Sequence, residues 1–475
     1  MCGEQEMTSA EPFHYLSLAA VAKAIATGEL SSQEVTRHTL ARIADLDPKL
    51  HAFAEVRAEA AMTDARAADA RRARGEPLGA LHGVPVAVKD LCAMAGTETH
   101  AGGFFRTRFK PSDTATVVRR LQDAGAIIVG KTQLTEGAWG AHHPDITPPV
   151  NPWAAERWTG VSSSGSGVSV AAGLAYGAIG TDTAGSIRYP SACNRLVGLK
   201  PTWGRVSRHG VFPLSDTLDH VGPMARSVLD AALIFDAIAG PDPADPTALD
   251  APAPACAAAA RKPSLKGVRI GLDASYALEN VEPAMAASLK AAIAAMEAAG
   301  ARIVEIKMPE IQSFLVRAYR SAAVEAAVSH APTYPSEAKS YGEAYAQFLE
   351  LGLSTPSVDY AAIAIWRREF RGQLARLFKT VDMLIAPAMP LEAPTLDFMN
   401  ATVNAPPEAV VPLMLYTIPF NVAGIPSLTL PMAKSQAGVP QGFQLIGPDL
   451  GEAALCAAGA AYEECTGFSS DHPPL

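Results

Sequence analysis

Charged and aromatic side chains are both scarce in this sequence, at 18% and 7% of its 475 residues. So little charge argues against several small, separately solvated domains, although at roughly 100–200 residues per domain length alone would suggest about three. With few aromatics and 49% hydrophobic residues, the core has to be aliphatic and alanine-rich. No Lys/Arg-rich run occurs beyond Arg71-Arg72-Ala73-Arg74, and the net charge is −9. The chain therefore lacks the basic patch of a nucleic-acid binder, and the one cluster ends a helix-like segment, where cations suit the dipole. The cysteines, Cys2, Cys92, Cys193, Cys256, Cys456 and Cys465, form no CxxC pair and no Cys–His spacing suited to zinc. No apolar run reaches the ~18 residues that span a membrane. The N-terminal MCGEQEMTSAEP has no basic-then-apolar signal pattern. These absences predict a soluble cytoplasmic protein with reduced thiols and no metal, nucleic-acid or membrane partner.

What is abundant is small side chains, above all from Thr159 to Thr202, TGVSSSGSGVSVAAGLAYGAIGTDTAGSIRYPSACNRLVGLKPT. Gly, Ser, Ala and Thr let backbone pack on backbone and bring amide N–H groups close to a ligand. Two serine-bearing glycine turns flank an apolar segment, Val168 to Ile179, as expected of a site assembled from two adjacent loops.

Around this stretch strands and helices alternate. Ser17 and Gly28 bound a helix, and Ser31 with Glu34 opens a second as a capping box, which Pro48 should stop. A third helix is predicted from Glu55 to Arg72. Strands are predicted at Leu81–Asp90, Ala126–Gly130, Val268–Leu272, Arg302–Ile306, Asp382–Pro387 and Ser427–Leu430. Helices fall at Thr116–Ala124, Val228–Ala239, Pro283–Ala299 and Gly451–Glu464. The βαβ units imply parallel pairing. Trp203–Val221 and Ala393–Pro412 read as loops, and Pro241–Pro263 as a surface excursion. Residues 311–378 read as a polar, helical, lid-like segment. The expected architecture is a single α/β domain over 1–475, with a helical arm at 1–75, a core at 80–240 and a large central mixed sheet flanked by helices on both faces.

For chemistry, Ser186 in Asp182-Thr183-Ala184-Gly185-Ser186-Ile187 and Ser162, 24 residues earlier, are candidate nucleophiles. Successive N–H groups from Thr183 to Ser186 could converge on one oxygen. No histidine is near in sequence, although His82, His209 or His220 could complete a Ser-His-Asp set. The GxSxG elbow does not occur around either serine. The other route is a desolvated lysine as base, and Lys89 and Lys131, each at the end of a predicted strand, compete for it. Ser336-Glu337-Ala338-Lys339 matches SxxK without supporting motifs. Gly160–Gly167 lacks the Gly-Lys-Ser/Thr ending of a P-loop. His142-His143 has no third metal ligand at suitable spacing.

The chain closely resembles the amidase signature family. The resemblance rests on Ser162-Ser163 through Ser186, Gly198-Leu199-Lys200-Pro201-Thr202, Leu81 through Lys89-Asp90, Gly130-Lys131-Thr132, Asn151-Pro152-Trp153, Asn421 through Pro426, and Gly442 through Gly447, in the family's order. It implies a Ser–cisSer–Lys triad without cofactor: Ser186 as nucleophile, Ser162 as bridging serine and Lys89 as base, with Lys131 outside the triad. Backbone N–H groups of Thr183, Ala184, Gly185 and Ser186 would form the oxyanion hole, with Asp182 and Arg188 bracing the loop. The implied activity is hydrolysis of apolar or aryl amides, with possible ester and carbamate (urethane) cleavage, by a monomer or homodimer. The alternative is the glutamine-hydrolysing A subunit of a tRNA-dependent amidotransferase. Three departures from the family pattern bear on the shape of the acyl pocket: Val161 and Ala184, each in place of a glycine, and Asn194-Arg195. The Met-, Leu- and Pro-rich stretch Leu391 to Tyr416 is expected on the leaving-group side.

Overall fold

Helix boundaries in the N-terminal arm follow local capping chemistry. The computed structural model describes residues 12–107, 109–110, 112–403 and 405–475; the stretch read for a signal pattern, with Cys2, lies outside them apart from Pro12. Ser17 accepts a hydrogen bond from Ala20 N and opens helix Leu18–Thr27, which a left-handed Gly28 closes. Ser31 and Glu34 form the reciprocal box of helix Ser32–Leu50. That helix runs through Pro48, against expectation. A proline in the last turn forgoes one hydrogen bond, and His51 N–H closes the helix on Asp47 O. The third helix begins at Ala58, not Glu55, because Phe53–Val56 is an edge strand.

Among the described residues, eleven strands form one mixed sheet in the order β1-β3-β2-β4-β6-β5-β10-β11-β9-β7-β8. They are β1 Phe53–Val56, β2 Pro85–Lys89, β3 Ile127–Thr132, β4 Gly177–Asp182, β5 Val197–Lys200, β6 His220–Ala225, β7 Arg269–Leu272, β8 Arg302–Glu305, β9 Met383–Pro387, β10 Ser427–Pro431 and β11 Gly442–Ile446. β2 pairs in parallel with β3 and with β4, and β7 pairs in parallel with β8 and β9; the remaining pairs are antiparallel. The α/β class and mixed sheet therefore stand as expected. Every residue of β2, β3 and β4 is buried, which suits their near-continuous small and apolar sequences. Their carboxyl ends, Lys89, Thr132 and Asp182, share one edge of the sheet, where open α/β sheets place ligands.

Two expected loops contain regular structure. Residues 396–402 and 407–410 are short helices within the stretch read as loop, and β6 begins at the end of the Trp203–Val221 loop. Pro241–Pro263 is anchored through helix Cys256–Ala260, whose Cys256 and Ala257 N–H groups donate to Asp236. Residues 311–378 hold helices Gln312–His330, Glu343–Ser354 and Ser357–Leu377. Among the described residues, no helix is long and apolar enough to cross a membrane.

Candidate active site

Lys89 ends β2 with its side chain fully buried. Nζ lies 2.6 Å from Ser162 Oγ and 2.8 Å from Thr181 Oγ1. It forms no ion pair with a described residue, although Asp219 and Asp182 act on it through space. Desolvation dominates and pulls its pKa down from 10.5 to about 7. Lys131, the rival lysine, is as buried but paired: its Nζ is 2.6 Å from Asp90 Oδ1 and donates to Glu98 O and Thr99 Oγ1. One lysine is thus poised to gain or lose a proton near neutrality, and the other is held in a buried ion pair.

Ser162 precedes helix Ser164–Ala171, and the Val161–Ser162 peptide bond is cis. Gly160 before it has φ +76°, and a Cβ there would stand 2.4 Å from Pro190 N, so only glycine lets the two loops approach. Ser163 ties this loop to its neighbours: its Oγ donates to Thr181 O, and its N–H donates to Ser186 O.

Ser186 sits in the loop between β4 and helix Arg188–Cys193. It is half-buried, and its hydroxyl makes no hydrogen bond to a described residue. The structure joins Lys89 directly to Ser162 and brings the Ser186 loop against the Ser162 loop through backbone. Asp182 organises that loop. Its carboxylate accepts from Gly185 N at 2.8 Å, Ile187 N at 3.1 Å, Arg188 N at 3.3 Å and Asn421 Nδ2 at 2.9 Å, and pairs with the Arg188 guanidinium at 2.9 Å. Burial alone would raise its pKa, but the adjacent Arg188 overrides this and holds the carboxyl below its usual range. Arg188, itself fully buried, also donates to Thr417 O, Asn421 and Gln444.

This bracing corrects one expectation. The Gly185 N–H is taken by Asp182, so it is not a free oxyanion donor. The N–H groups of Thr183, Ala184 and Ser186 have no partner among the described residues. None of His82, His209 and His220 hydrogen-bonds Ser162 or Ser186: His82 contacts Ala68 O and His220 contacts Leu218 O. Cys193 is buried with its thiol pKa pushed up by desolvation, as suits packing.

Two groups escaped sequence reasoning. Thr181 is the second hydrogen-bond partner of Lys89; its position two residues before Thr183 was visible, but its facing Lys89 depends on the β2–β4 pairing. Asp219 receives a hydrogen bond from Thr183 Oγ1 at 2.5 Å, and burial raises its carboxyl to about 6. It lies in a stretch with no periodicity to mark it.

A cavity of about 480 Å³ opens beside the loops, lined by Val161 next to Ser162, by Tyr189, and by Trp139, Trp158, Met389 and Met414 among others. The stretch Leu391–Tyr416 contributes much of its wall, through residues such as Leu396, Met399, Val403 and Leu413. Among the described residues, no Asp, Glu, Lys or Arg lines it. A second cavity of about 640 Å³ reaches Thr181 and Thr183 and is lined by charged groups including Arg208, Asp216 and Asp219.

The amidase family model matches residues 34–456, which span all the strands of the sheet and both loops. The chain belongs to the amidase signature family. The AmiD protein of Mycobacterium tuberculosis is 42% identical over 460 residues, covering 97% of this chain and 96% of its own length. In Myxococcus xanthus, the A subunit of the glutamyl-tRNA(Gln) amidotransferase is 37% identical over 487 residues, covering 97% of this chain and 99% of its own. Among solved structures, the peptide amidase of Stenotrophomonas maltophilia superposes with a TM-score of 0.82 at 32% identity, over 98% of this chain and 99% of that one. This member of the amidase signature family is an amide hydrolase.

Proposed function

We propose that this amidase hydrolyses neutral apolar or aryl amides through an acyl-enzyme on Ser186. The observation that carries the reading is the 2.6 Å contact between Ser162 Oγ and a buried Lys89 amine whose pKa lies at about 7. Neutral Lys89 takes the Ser162 proton as Ser162 takes that of Ser186, and Ser186 Oγ attacks the amide carbonyl. The free N–H groups of Thr183, Ala184 and Ser186 stabilise the oxyanion. As the C–N bond breaks, Ser162 passes the proton to the leaving amine, and water then releases the acid through the same relay. Aryl esters and carbamates present the same acyl centre, and the relay would cleave them too.

The kinship with amidotransferase A subunits favours a second reading, glutamine hydrolysis. Against it stands the lining of the apolar cavity beside Val161 and Tyr189, while the charged cavity at Thr181 and Thr183, with Arg208, Asp216 and Asp219, is the place that would suit an amino acid's charges. Glutamine carries an α-ammonium and an α-carboxylate, and burying either without an ionic partner is costly. The test compares a p-nitroanilide of a medium-chain acid with glutamine. Turnover of the anilide that is lost in Lys89→Ala and in Ser186→Ala supports the proposal. Wild-type rates in either variant, or preferred release of ammonia from glutamine, overturn it.

A further inference from the structure

Most polar groups lining the apolar cavity are already engaged. The Tyr189 hydroxyl meets Thr417 Oγ1 and Leu413 O, Thr402 Oγ1 donates to Met399 O, and His143 Nδ1 accepts from Asp145 N. His142 is different. Its Nε2 lies 3.0 Å from Ser164 Oγ, and its other ring nitrogen has no partner among the described residues. Ser164 is fully buried, and among the described residues the imidazole is the one group within hydrogen-bond reach of its hydroxyl. A buried hydroxyl keeps its hydrogen bonded, so Ser164 donates to Nε2. That network assigns the ring hydrogen to Nδ1. Desolvation pulls the imidazole pKa down to about 4, so the ring is neutral at neutral pH and offers an N–H. His142 is half-buried and lines the cavity. Through Ser164 it is fastened two residues from Ser162.

We propose that His142 is a specificity-determining residue that donates its Nδ1–H to a neutral acceptor oxygen on the part of the substrate held in the apolar cavity. The ligand class is an apolar amide carrying an ether, ketone or second carbonyl oxygen. An anionic acceptor does not fit, because no described lysine or arginine lines the cavity and a desolvated charge needs a partner. The inference rests on the reading of this site as one for apolar amides. The indole N–H of Trp158 and the side-chain amide of Asn400, which also line the cavity and have no partner among the described residues, are competing donors, as is the Tyr319 hydroxyl, which accepts from Trp139 Nε1.

The test is a series of acyl anilides in which one ether oxygen is moved along the chain, each compared with its all-methylene counterpart. The quantity read is the ratio of the two kcat/KM values within each protein, so general loss of activity cancels. The wild type is expected to favour at least one ether position by about three- to tenfold, the reach of one neutral hydrogen bond. His142→Phe should erase that preference, His142→Gln, which keeps an N–H, should retain part of it, and Trp158→Phe should leave it in place. If the phenylalanine variant does not fold, His142→Leu takes its place. No preferred position in the wild type, a preference that survives in His142→Phe, or one abolished by Trp158→Phe alone overturns the proposal. A wild type that hydrolyses no member of the series instead defeats the apolar-amide reading and the inference with it.

Discussion

Lys89 Nζ lies 2.6 Å from Ser162 Oγ, and no described carboxylate is in contact with it. Lys131, across the β2–β3 pair, is equally buried but sits 2.6 Å from Asp90. The difference decides which amine can act as a base. Lys89 must be neutral to accept a proton, so kcat/KM for a neutral amide should rise with pH through about 7 and then level off. Lys89→Ala should lower kcat by about 10²- to 10⁴-fold. Lys89→Arg should not restore it, since a guanidinium stays protonated. A pH profile flat from 5 to 9 in the wild type contradicts this assignment.

The same lysine should cost the fold stability. Its pKa is lowered from 10.5 to about 7 on folding, so between those values the unfolded chain binds the extra proton and stability rises with pH. Lys89→Met should therefore be more stable than the wild type at pH 7, by about 1–4 kcal/mol. The gain should shrink as pH rises towards 10, which urea titrations at several pH values will show.

Removing the Asp182 charge should have the opposite effect. Asp182→Asn leaves the fully buried Arg188 without its counter-charge, a loss of about 3–5 kcal/mol. The depressed carboxyl pKa sets the sign of the pH dependence. The contribution is present above the unfolded value of 3.8 and is lost as pH falls below it. The difference between wild type and variant in chemical denaturation should therefore narrow only at acid pH.

Gly185→Ala tests the loop geometry. A Cβ at this position, where φ is +130°, would stand 2.4 Å from the Tyr189 ring. The φ that disfavours a side chain and the clash together strain the loop that carries Ser186. The variant should lose about 1–3 kcal/mol, read as a lower unfolding midpoint. Labelling of Ser186 by a fluorophosphonate should slow at least about tenfold for the same strain. Unchanged labelling would mean the loop has more freedom than its packing indicates.

Local signals in the sequence carried much of the fold. Ser17, Ser31, Glu34 and Gly28 mark helix ends through contacts within a few residues, and these ends lie where their chemistry places them. The strand β1 was not legible, because its four residues alternate in exposure at an edge and owe their conformation to pairing with β3. The stretch from Thr159 to Thr202 announced close backbone packing through its small residues. Its residues alone left Lys89 and Lys131 tied as candidate bases, since what separates them is Asp90 against one and two hydroxyls against the other. His142 was visible only as half of a poor metal pair. Its tether to Ser164 and its place in the cavity wall are tertiary facts.

The central claim is that Ser186 is acylated through a relay driven by Lys89. The most direct measurement is mass spectrometry of enzyme quenched in acid during turnover of a slow aryl ester or anilide. The acyl mass should be found on the peptide containing Ser186, be absent from Ser186→Ala, and accumulate far more slowly in Lys89→Ala and Ser162→Ala. Acyl groups on Ser162 or Cys193 instead, or acylation of Ser186 at the wild-type rate without Lys89, would contradict the account.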